Sequence, residues 1–411
     1  MWYENTTYIA LKLIFIDFFA LITQSFCNFG IIYIKYLIMK FIVSSTDFFN
    51  HLQAVSRVIN SKNALPILDC VLVELRGGQI YMTASDNETT LRTTLQASTS
   101  DGDGSFAVNS KKMIESLKEI PEQPMTMDVN LESMKIDIFY LNGQYSLVGY
   151  DAVNYPEVRG LEGDVNSLAM RAGTMADGLD ITLFATSDDD LRPVMTGVYL
   201  DVKPDHIVFV GTDSHRLVRV LDRNVASGSE CGVILPKKPA NILRGLLPDD
   251  DSSVNIQFDE KSAIISFGSM SMICALIEGK YPNYAAVIPD NPYKMRISRH
   301  AFIGALRRVS VFSSKASSLI KLEIHDGQLL LSSQDVDFST SAQEKIQCEY
   351  TSTPIKIGFK STFLLEILQN IDSDEVILSL ADPSRAGVVL PAEQEEDKDV
   401  LMLLMPMMLG E

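Results

Sequence analysis

Three segments of this chain repeat one pattern at a spacing of about 125 residues: Leu65–Asp86, Leu191–Asp213 and Ser317–Asp335. Each has an alternating apolar run, a turn that contains Gly or Asp, a second alternating run and a small, polar, acidic tail. Alternation of this kind is typical of half-buried β-strands. Because the period has the size of a small domain, the sequence predicts three similar domains rather than a solenoid.

A shorter repeat supports the first one. Asn154–Val158 (NYPEV) recurs as Lys280–Tyr284 (KYPNY), where the first and second copies close. We therefore divide the chain into a leader, 1–38, and three domains, 39–160, 161–290 and 291–411.

Each copy is predicted to contain two helices and about eight strands, with the helices on one side of an antiparallel sheet. This makes the fold class α+β. Helical spacing places Phe49, Leu52, Val55 and Val58 on one face of the first helix. In the third copy Ser298 is the predicted cap, and Phe302, Leu306, Val309 and Phe312 or its neighbours face inward. The predicted helices are Phe48–Ile59, Ser110–Ile120, Thr174–Ser187, Pro236–Leu247, Arg299–Phe312 and Ser361–Ile371.

The leader differs from the rest of the chain. Phe18–Ile34 carries no charge and is nearly long enough to span a bilayer, although polar residues such as Gln24 and Asn28 interrupt it. Glu4 and the missing small-residue cleavage pattern argue against a secretory signal. Since Met39 looks like a fresh start, we interpret 1–38 as an upstream region included by a wrong start. A genuine hydrophobic extension or membrane anchor is the alternative.

Composition narrows the chemistry. The net charge of −18 argues against indiscriminate binding to nucleic acid but leaves room for a local basic surface. The five cysteines form no CxxC motif and have no zinc-ligand spacing. Cys70 and Cys274 lie in apolar runs, which predicts buried thiols in a reducing compartment. We expect no metal and no cofactor.

No P-loop, HExxH or G-x-S-x-G motif occurs in the sequence. Asp213-Ser214-His215 contains the three residue types of a hydrolase triad. Neighbours on an extended chain point to opposite faces, so these three residues cannot form a triad. We interpret the segment as a loop that bonds its own backbone through Thr212 and Asp213, and we predict no catalytic residue.

Basic residues recur near the helices in all three copies of this acidic chain. If the helices line one concave surface, that surface is positive and suits phosphates without reading bases. Ordinary solvated surface is the alternative. The residues concerned are Arg57, Lys62, Lys111, Lys112, Lys237, Lys238, Arg244, Arg307, Arg308, Lys315 and Lys360.

The end of the sequence, Val400–Leu409, is rich in Met. It fits a last core strand, but Pro406 breaks a strand ladder and argues for an edge or an exposed end. Met-rich surface suits the binding of short peptides of varied sequence.

Several motifs within 39–411 resemble those of bacterial DNA polymerase III beta subunits, the sliding clamps. They are Met39–Phe41 (MKF), Leu65–Leu68 (LPIL), Arg192–Gly197 (RPxxxG), Thr212–Leu217 (TDSHRL), Gly279–Tyr284 (GxYPxY) and Met405–Met407 (MPM).

The resemblance implies three DNA-clamp domains per chain and a head-to-tail dimeric ring around duplex DNA. Such a ring is not an enzyme. It tethers the replicative polymerase in the cytoplasm, and the clamp loader, repair polymerases and ligase-type clients share its docking pocket.

The resemblance also implies roles for particular residues. At the subunit interface it implies Val311 and Phe312, with Tyr145 across from them, and ordinary core is the alternative for all three. Ala286 and Met408 stand where well-known members have basic residues, so the preferred peptides are expected to differ. For DNA it implies Lys62, Lys237 and Lys238, to which the basic pattern adds Arg307, Arg308, Lys315 and Lys360. The implied pocket comprises Met195, Thr212, Ser214, His215, Arg216, Leu217, Pro282, Val287, Leu403, Leu404, Met405, Pro406, Met407 and Leu409.

Three other interpretations compete with this one. An enzyme with a cleft between repeats needs convergent titratable groups, and the sequence offers none. A scaffold that binds only proteins has no need of the recurring basic residues. A membrane-anchored protein rests on 1–38 alone.

Overall fold

The structure is a computed structural model that describes residues 38–158, 160–225 and 230–409. Residues 1–37, on which the interpretation of the leader rests, lie outside this range, and Cys27 lies among them. The described residues form two compact units. One contains those up to 158 together with 269–273, and the other contains 160–268 and 274–409 without the gaps.

The first copy contains two helices and two antiparallel strand sets, ordered β5-β1-β7-β8-β9 and β10-β6-β2-β3-β4. Short 3-10 turns cover Pro66–Asp69 and Ala152–Asn154. The elements are β1 Ile38–Ser44, α1 Ser45–Ser56, β2 Cys70–Arg76, β3 Gln79–Ser85, β4 Thr89–Gln96, β5 Thr99–Asp101, β6 Gly104–Asn109, α2 Ser110–Leu117, β7 Pro124–Asn130, β8 Lys135–Tyr140, β9 Gly143–Val148 and β10 Tyr150–Asp151.

The second copy follows a similar order of elements, with eight described strands where the first copy has ten. A 3-10 turn at Pro193–Met195 precedes its second strand. The elements are β11 Asn166–Arg171, α3 Ala172–Leu183, β12 Gly197–Val202, β13 Ile207–Thr212, β14 Arg216–Asp222, β15 Cys231–Pro236, α4 Lys237–Arg244, β16 Ser253–Phe258, β17 Ser262–Phe267 and β18 Met270–Ala275.

The third copy follows a 3-10 turn at Tyr284–Val287. One of its sheets has the order β22-β21-β20-β23. The elements are β19 Tyr293–Ser298, α5 Arg299–Ser310, β20 Leu319–His325, β21 Gln328–Asp335, β22 Thr340–Gln347, β23 Ile355–Lys360, α6 Ser361–Gln369, β24 Glu375–Leu380, β25 Gly387–Pro391 and β26 Lys398–Leu404.

The α+β prediction of helices on antiparallel sheets is confirmed, and the helix bounds need correction. The first helix begins at Ser45, because the Ser44 hydroxyl accepts the Asp47 N–H at 3.0 Å and caps it there. This shifts the helix face, so Phe48 is buried in place of Phe49. The helix predicted at Thr174–Ser187 lies at Ala172–Leu183, and α2, α4 and α6 end two or three residues before their predicted ends.

Two predictions about the third copy also change. Ser298 caps α5 as expected, with its hydroxyl accepting the Ala301 N–H at 3.4 Å. The helix ends at Ser310, so Phe312 lies beyond the buried face and is 40% exposed. The strand before Pro406 is not an edge, because β26 lies between β14 and β25 and ends at Leu404. The irregular segment begins only after it.

Two glycines let helix α3 lie very close to strand β13. A Cβ atom at Gly178 would come within 2.5 Å of the Phe209 ring. One at Gly211 would lie 2.4 Å from the Thr182 carbonyl oxygen, which is closer than real Cβ contacts allow. The end of α3 is therefore held beside the turn that follows β13.

The short NYPEV/KYPNY repeat corresponds to a repeated contact. Tyr155 and Tyr281 are each 7% exposed, and burial raises the pKa of both phenols. The Tyr155 hydroxyl donates to the Thr83 carbonyl at 3.2 Å, and the Tyr281 hydroxyl donates to the Val210 carbonyl at 3.4 Å. In two copies, the segment after the last strands thus places a tyrosine on the same face of the sheet.

The prediction of buried free thiols is confirmed for Cys70 and Cys274. Burial raises the pKa of the Cys70 thiol to about 11, so this thiol stays protonated and inert. In the described part of the chain, no helix is long and apolar enough to cross a membrane. Nor do the described residues bring three or more His, Cys, Asp or Glu side chains together as metal ligands.

Candidate functional site

A strand ladder joins the second and third copies within one unit. β14 pairs with β26 in antiparallel register from Arg216 opposite Leu404 to Asp222 opposite Lys398. The ladder merges both copies into one eight-stranded sheet of order β15-β12-β13-β14-β26-β25-β24-β19. As a result, the TDSHRL segment and the Met-rich tail are neighbours, as the pocket prediction requires.

One face of this sheet carries a continuous apolar cluster. Leu217 lies opposite Leu403, and Leu403 lies opposite Val388 on β25. Val210 and Tyr281 belong to the same buried cluster. We call the surface of Val210, Leu217, Tyr281, Val388 and Leu403 the apolar face.

The segment between β18 and β19 packs against the apolar face through Ile277, Tyr284 and Ile288. The Tyr281 ring stacks on Tyr199 with centroids 4.5 Å apart. Two predicted pocket residues lie in this segment: Pro282 is half-buried and Val287 is 57% exposed. Apolar side chains thus continue from the buried cluster to the surface.

The turn after β13 is held by its own hydrogen bonds, as the sequence predicted. The Thr212 hydroxyl donates to the Arg216 carbonyl at 2.7 Å and accepts the Ser214 N–H at 3.1 Å. Asp213 Oδ1 accepts the N–H groups of His215 and Arg216, both at 2.9 Å. Ser214 adopts a left-handed φ of 72°. The turn is therefore a rigid support rather than a triad.

This turn positions the Met-rich tail. The Met405 N–H donates to the His215 carbonyl at 2.8 Å, and the Met407 N–H donates to the Gly358 carbonyl at 2.8 Å. The Met405 side chain is 44% exposed, while Pro406, Met407 and Leu409 are half-buried. Backbone bonds therefore fix the tail and leave a thioether at the surface.

Two predicted pocket residues point away from the apolar face. The Arg216 guanidinium is buried on the helix side, where it donates to the Phe184 carbonyl at 2.7 Å and pairs with Asp213 and Glu366. Its charge lies over the rings of Phe184 and Phe363, at 5.2 and 4.5 Å. Leu404, directly opposite Arg216, is buried there too, because successive residues of a strand face opposite ways.

Sequence reasoning missed two residues at this site. Phe363 stacks beside the His215 ring with centroids 6.3 Å apart. Arg192 donates to the Ser214 hydroxyl at 2.6 Å and to Asp189 at 3.0 Å. Backbone hydrogen bonding, chiefly from Leu191, and Arg192 itself lower the pKa of Asp189. Arg192 belongs to the RPxxxG motif that carries the family resemblance, but the sequence did not indicate its place in the site. No sequence signal indicates Phe363.

Met195, the remaining pocket candidate on the second copy, is half-buried in the 3-10 turn before β12. Its carbonyl accepts the Ser187 N–H at 2.8 Å. This bond ties the turn to the segment that follows α3.

Most of the basic candidates lie at helix ends. Lys237 and Lys238 begin α4, Lys360 precedes α6, and Arg307 and Arg308 lie in the last turn of α5. Carboxylates pair with several of the candidates: Lys237 lies 2.5 Å from Asp188, Arg244 lies 3.4 Å from Asp180, and Arg308 binds Glu344 at 2.9 Å. The Lys360 ammonium lies 4.2 Å from the centre of the Phe363 ring, next to the pocket candidates. Lys62 and Lys315 are exposed on loops.

The three interface candidates lie on strand edges and helix ends. Val311, 77% exposed, and Phe312 follow α5, which packs on β21 and β22. Tyr145 lies on β9 with its ring 5.1 Å from that of Tyr140. Tyr145 and Leu147 also line a groove with Lys112, Glu115, Ser116 and Glu119 of the α2 region.

Comparison with known proteins gives one consistent family. Three family models of the DNA polymerase III beta subunit match in succession: the N-terminal domain over 39–159, the central domain over 170–283 and the C-terminal domain over 285–408.

Curated relatives and solved structures agree with these models. A beta sliding clamp from Pseudomonas aeruginosa is 26% identical, covering 89% of this chain and 99% of the relative. One from Staphylococcus aureus is 26% identical, with 90% and 99% covered. A crystal structure of the Pseudomonas aeruginosa clamp with a ligand matches with a TM-score of 0.84 at 25% identity, over 90% of this chain and 100% of that one. A Bartonella birtlesii clamp bound to griselimycin matches with a TM-score of 0.82 at 28% identity and the same coverage.

Arg216→Met tests whether the buried guanidinium supports the site. The substitution keeps an apolar stem but removes the guanidinium donors of Asp213 Oδ2, Glu366 and the Phe184 carbonyl. We expect the free energy of unfolding to fall by about 3 kcal/mol, the low end for a broken buried pair, because Glu366 is half-exposed. Urea denaturation measures the change. Arg192→Met is the matched control, since its exposed ion pair contributes less than about 1 kcal/mol. Equal losses in both variants would contradict this assignment.

Proposed function

Because the chain belongs to the DNA polymerase III beta subunit family, we propose that it is a ring-shaped DNA sliding clamp. The clamp encircles duplex DNA, tethers the replicative polymerase and so confers processivity. The observation that carries this proposal is the succession of three clamp-domain matches along one chain, 39–159, 170–283 and 285–408.

The clamp acts by binding rather than by catalysis, and it works in the cytoplasm with no cofactor. The clamp loader, repair polymerases and ligase-type clients are its further partners. We keep 39–160, 161–290 and 291–411 as the three domains of this proposal.

Two unpaired strand edges support closure of a ring by a second molecule of this chain. In the β14–β26 ladder, the strand after the TDSHRL turn pairs with the last strand of the next copy. The strand equivalent to β14 in the third copy is β22, which follows the turn there. The strand equivalent to β26 in the first copy is β9, the last strand of the set β5-β1-β7-β8-β9. Each lies at the edge of its sheet in the described structure. Unpaired edges are templates for strand addition, so β9 of one molecule pairs with β22 of another.

The register of this contact follows from the observed ladders. Val218 lies opposite Met402. Ala342 holds the position of Val218 in the third copy, because it pairs with Ser333 as Val218 pairs with Gly211. Tyr145 holds the position of Met402 in the first copy, because it pairs with Ile138 as Met402 pairs with Val389. Tyr145 of one molecule is then opposite Ala342 of the other. Val311 and Phe312, beside β22, meet the groove that Tyr145 lines. Two such head-to-tail contacts, related by a two-fold axis, close a dimer.

The apolar face and the tail suit a short peptide with apolar anchors. Among the apolar residues of the predicted pocket, Val287 and Met405 are exposed, at 57% and 44%, and a thioether adapts to varied partners. His215 and Ser214, exposed on the turn, offer polar contacts at the rim. Thr212, Leu217, Leu403, Met195, Pro282, Pro406, Met407 and Leu409 complete the proposed pocket, with Arg216 and Leu404 supporting it from behind.

The basic residues at helix ends supply weak contacts to phosphates. A closed ring holds DNA topologically, so residence does not depend on tight contact, and salt-sensitive phosphate contacts permit sliding. A polymerase bound to the ring stays at a high effective concentration and rebinds before it diffuses away. Lys62, Lys237, Lys238, Arg307, Arg308, Lys315 and Lys360 are the proposed contacts.

Ring closure predicts a specific cross-link. In the proposed register, Ser146 of one molecule lies opposite Ser341 of the other, so that cysteines at these two positions could form a disulfide. The variant with both Ser146→Cys and Ser341→Cys should form a covalent dimer on mild oxidation, seen by non-reducing electrophoresis. Either single variant and the pair Ser146→Cys with Gln328→Cys should form none. Equal cross-linking in the mismatched pair, or none in the matched pair, would refute the register.

The peptide pocket is tested by Met405→Asp. Placing a charge among apolar groups removes roughly 2 kcal/mol or more of contact with an apolar anchor, so affinity for a polymerase-derived peptide should fall at least tenfold. Fluorescence anisotropy measures this affinity, and native mass should still show a dimer. Val153→Asp, at a residue that is 87% exposed, should bind as wild type. Undiminished binding by Met405→Asp would remove the tail from the pocket.

The DNA contacts are tested on nicked circular DNA. Lys62→Glu combined with Lys237→Glu should shorten retention on the circle and flatten its dependence on salt, since fewer counterions are released. Lys135→Glu together with Lys321→Glu changes the net charge equally on strands away from the helix ends and serves as control. Linearising the circle should release the wild-type protein. Retention of the first double variant for as long as wild type would exclude Lys62 and Lys237.

A further inference from the structure

A carboxylate recurs at one equivalent strand position in all three copies. Glu74, Asp201 and Glu323 each lie four residues after the strand residue that pairs with the last residue before the second helix of their copy. Their side chains are 12%, 11% and 14% exposed. A charge buried to this extent costs free energy unless its oxygens have partners. The partners at the three positions can therefore be compared directly.

In the first and third copies, basic side chains pair with both oxygens of this carboxylate. Glu74 Oε1 pairs with Arg76, and its Oε2 lies 3.6 Å from Arg92 on β4. Glu323 pairs with two lysines in the same way, at 2.6 and 2.9 Å. In these two copies the carboxylate thus binds only strands of its own sheet among the described contacts.

The second copy differs at one oxygen of its carboxylate. Asp201 Oδ1 lies 3.3 Å from the Lys203 ammonium, whereas Oδ2 accepts the Tyr284 hydroxyl at 2.7 Å. Val158 stands at the place of Tyr284 in the NYPEV/KYPNY repeat, so the first copy has no hydroxyl to offer there. Burial, together with the bond to Asp201, raises the pKa of the Tyr284 phenol, which therefore remains a donor at neutral pH.

The ladder between β14 and β26 explains why this oxygen is open to a tyrosine. Arg219 lies opposite Val210 as Arg92 lies opposite Thr83, so the two arginines hold equivalent places. Arg92 reaches the carboxylate of its own copy, but Arg219 pairs with Asp399 on β26 at 2.5 Å. The third copy thus draws the arginine away, and the tyrosine binds the oxygen that is left.

Tyr284 belongs to the segment that forms one wall of the proposed pocket. It begins the 3-10 turn Tyr284–Val287, two residues after Pro282. Its ring packs on the apolar face and meets Tyr199 edge-on, with centroids 6.4 Å apart. The other three residues of the turn are exposed, so the Tyr284 side chain is what anchors the turn to the sheet.

We propose that Asp201 is a positioning residue for peptide binding, because through the Tyr284 hydroxyl it holds the turn that carries Val287 in place. Asp201 is buried and acts on the peptide through this wall rather than by contact. The inference rests on the proposed function, since it concerns the wall of that same pocket. Without the hydrogen bond, the turn holds its binding position for a smaller fraction of the time, and the apparent affinity falls by that fraction.

Tyr284→Phe removes the hydroxyl and keeps the ring, so it tests the hydrogen bond alone. Affinity of the full chain for the polymerase-derived peptide, measured by fluorescence anisotropy, should fall by about two- to tenfold. Because fewer molecules hold the wall in place, the association rate should fall and the dissociation rate should stay the same. Loss of a direct contact would instead change mainly the dissociation rate. Amide exchange should quicken in Tyr284–Val287 and stay slow in β12, β13 and β14.

Variants of the carboxylate complete the test. Asp201→Asn keeps an acceptor for the hydroxyl and should bind within about twofold of wild type, whereas Asp201→Ala should bind as weakly as Tyr284→Phe. Adding Tyr284→Phe to Asp201→Ala should weaken binding no further, because both changes remove one interaction. Glu74→Gln changes the equivalent carboxylate of the first copy. It is the matched control and should bind as wild type.

Each outcome decides one claim. Wild-type affinity in Tyr284→Phe, additive losses in the double variant, or an equal loss in Glu74→Gln would overturn the role of Asp201 and leave the pocket in place. A loss confined to the dissociation rate would make Tyr284 a direct contact and equally overturn it. Absence of saturable peptide binding by the wild-type chain would overturn the proposed function itself.

Discussion

The site depends on one main-chain interaction, the ladder between β14 and β26. Backbone groups pair from Arg216 opposite Leu404 to Asp222 opposite Lys398, so the contact follows from strand geometry and from an edge that needs a partner. It places Leu217 against Leu403, and it brings Met405 to the carbonyl of His215. Without this pairing, the turn, the apolar face and the tail would belong to separate copies and form no surface.

The same geometry explains how one repeated unit serves several purposes. Pairing within a copy leaves β9, β14, β22 and β26 with one free edge each. The edges of β14 and β26 satisfy each other, whereas β9 and β22 remain edge strands in the described structure. The tyrosine contacts repeat as well, since Tyr155 and Tyr281 cover their sheets in the first two copies. Repetition therefore supplies matching surfaces in successive copies.

Much of this arrangement could be predicted from the sequence, because strand alternation and the repeat are local patterns. The self-bonded turn at Thr212–Arg216 followed from its residue types, and the Tyr-Pro repeat marked a real packing contact. Helix ends were less predictable: the cap at Ser44 moved α1 by three residues and exchanged Phe49 for Phe48 in the core. The side-chain direction of Arg216 depends on strand parity, and the position of Phe363 beside His215 depends on packing between copies, so neither could be found from sequence spacing.

We propose that ring closure pairs β9 of one molecule with β22 of another, so that the two strands complete one sheet. The most direct measurement is amide hydrogen exchange of Gly143–Val148 and Thr340–Gln347 across a dilution series that separates the copies. This pairing predicts slow exchange in both strands at high concentration and faster exchange in both on dilution, with β14 and β26 protected throughout. Fast exchange in β9 and β22 at every concentration would contradict it.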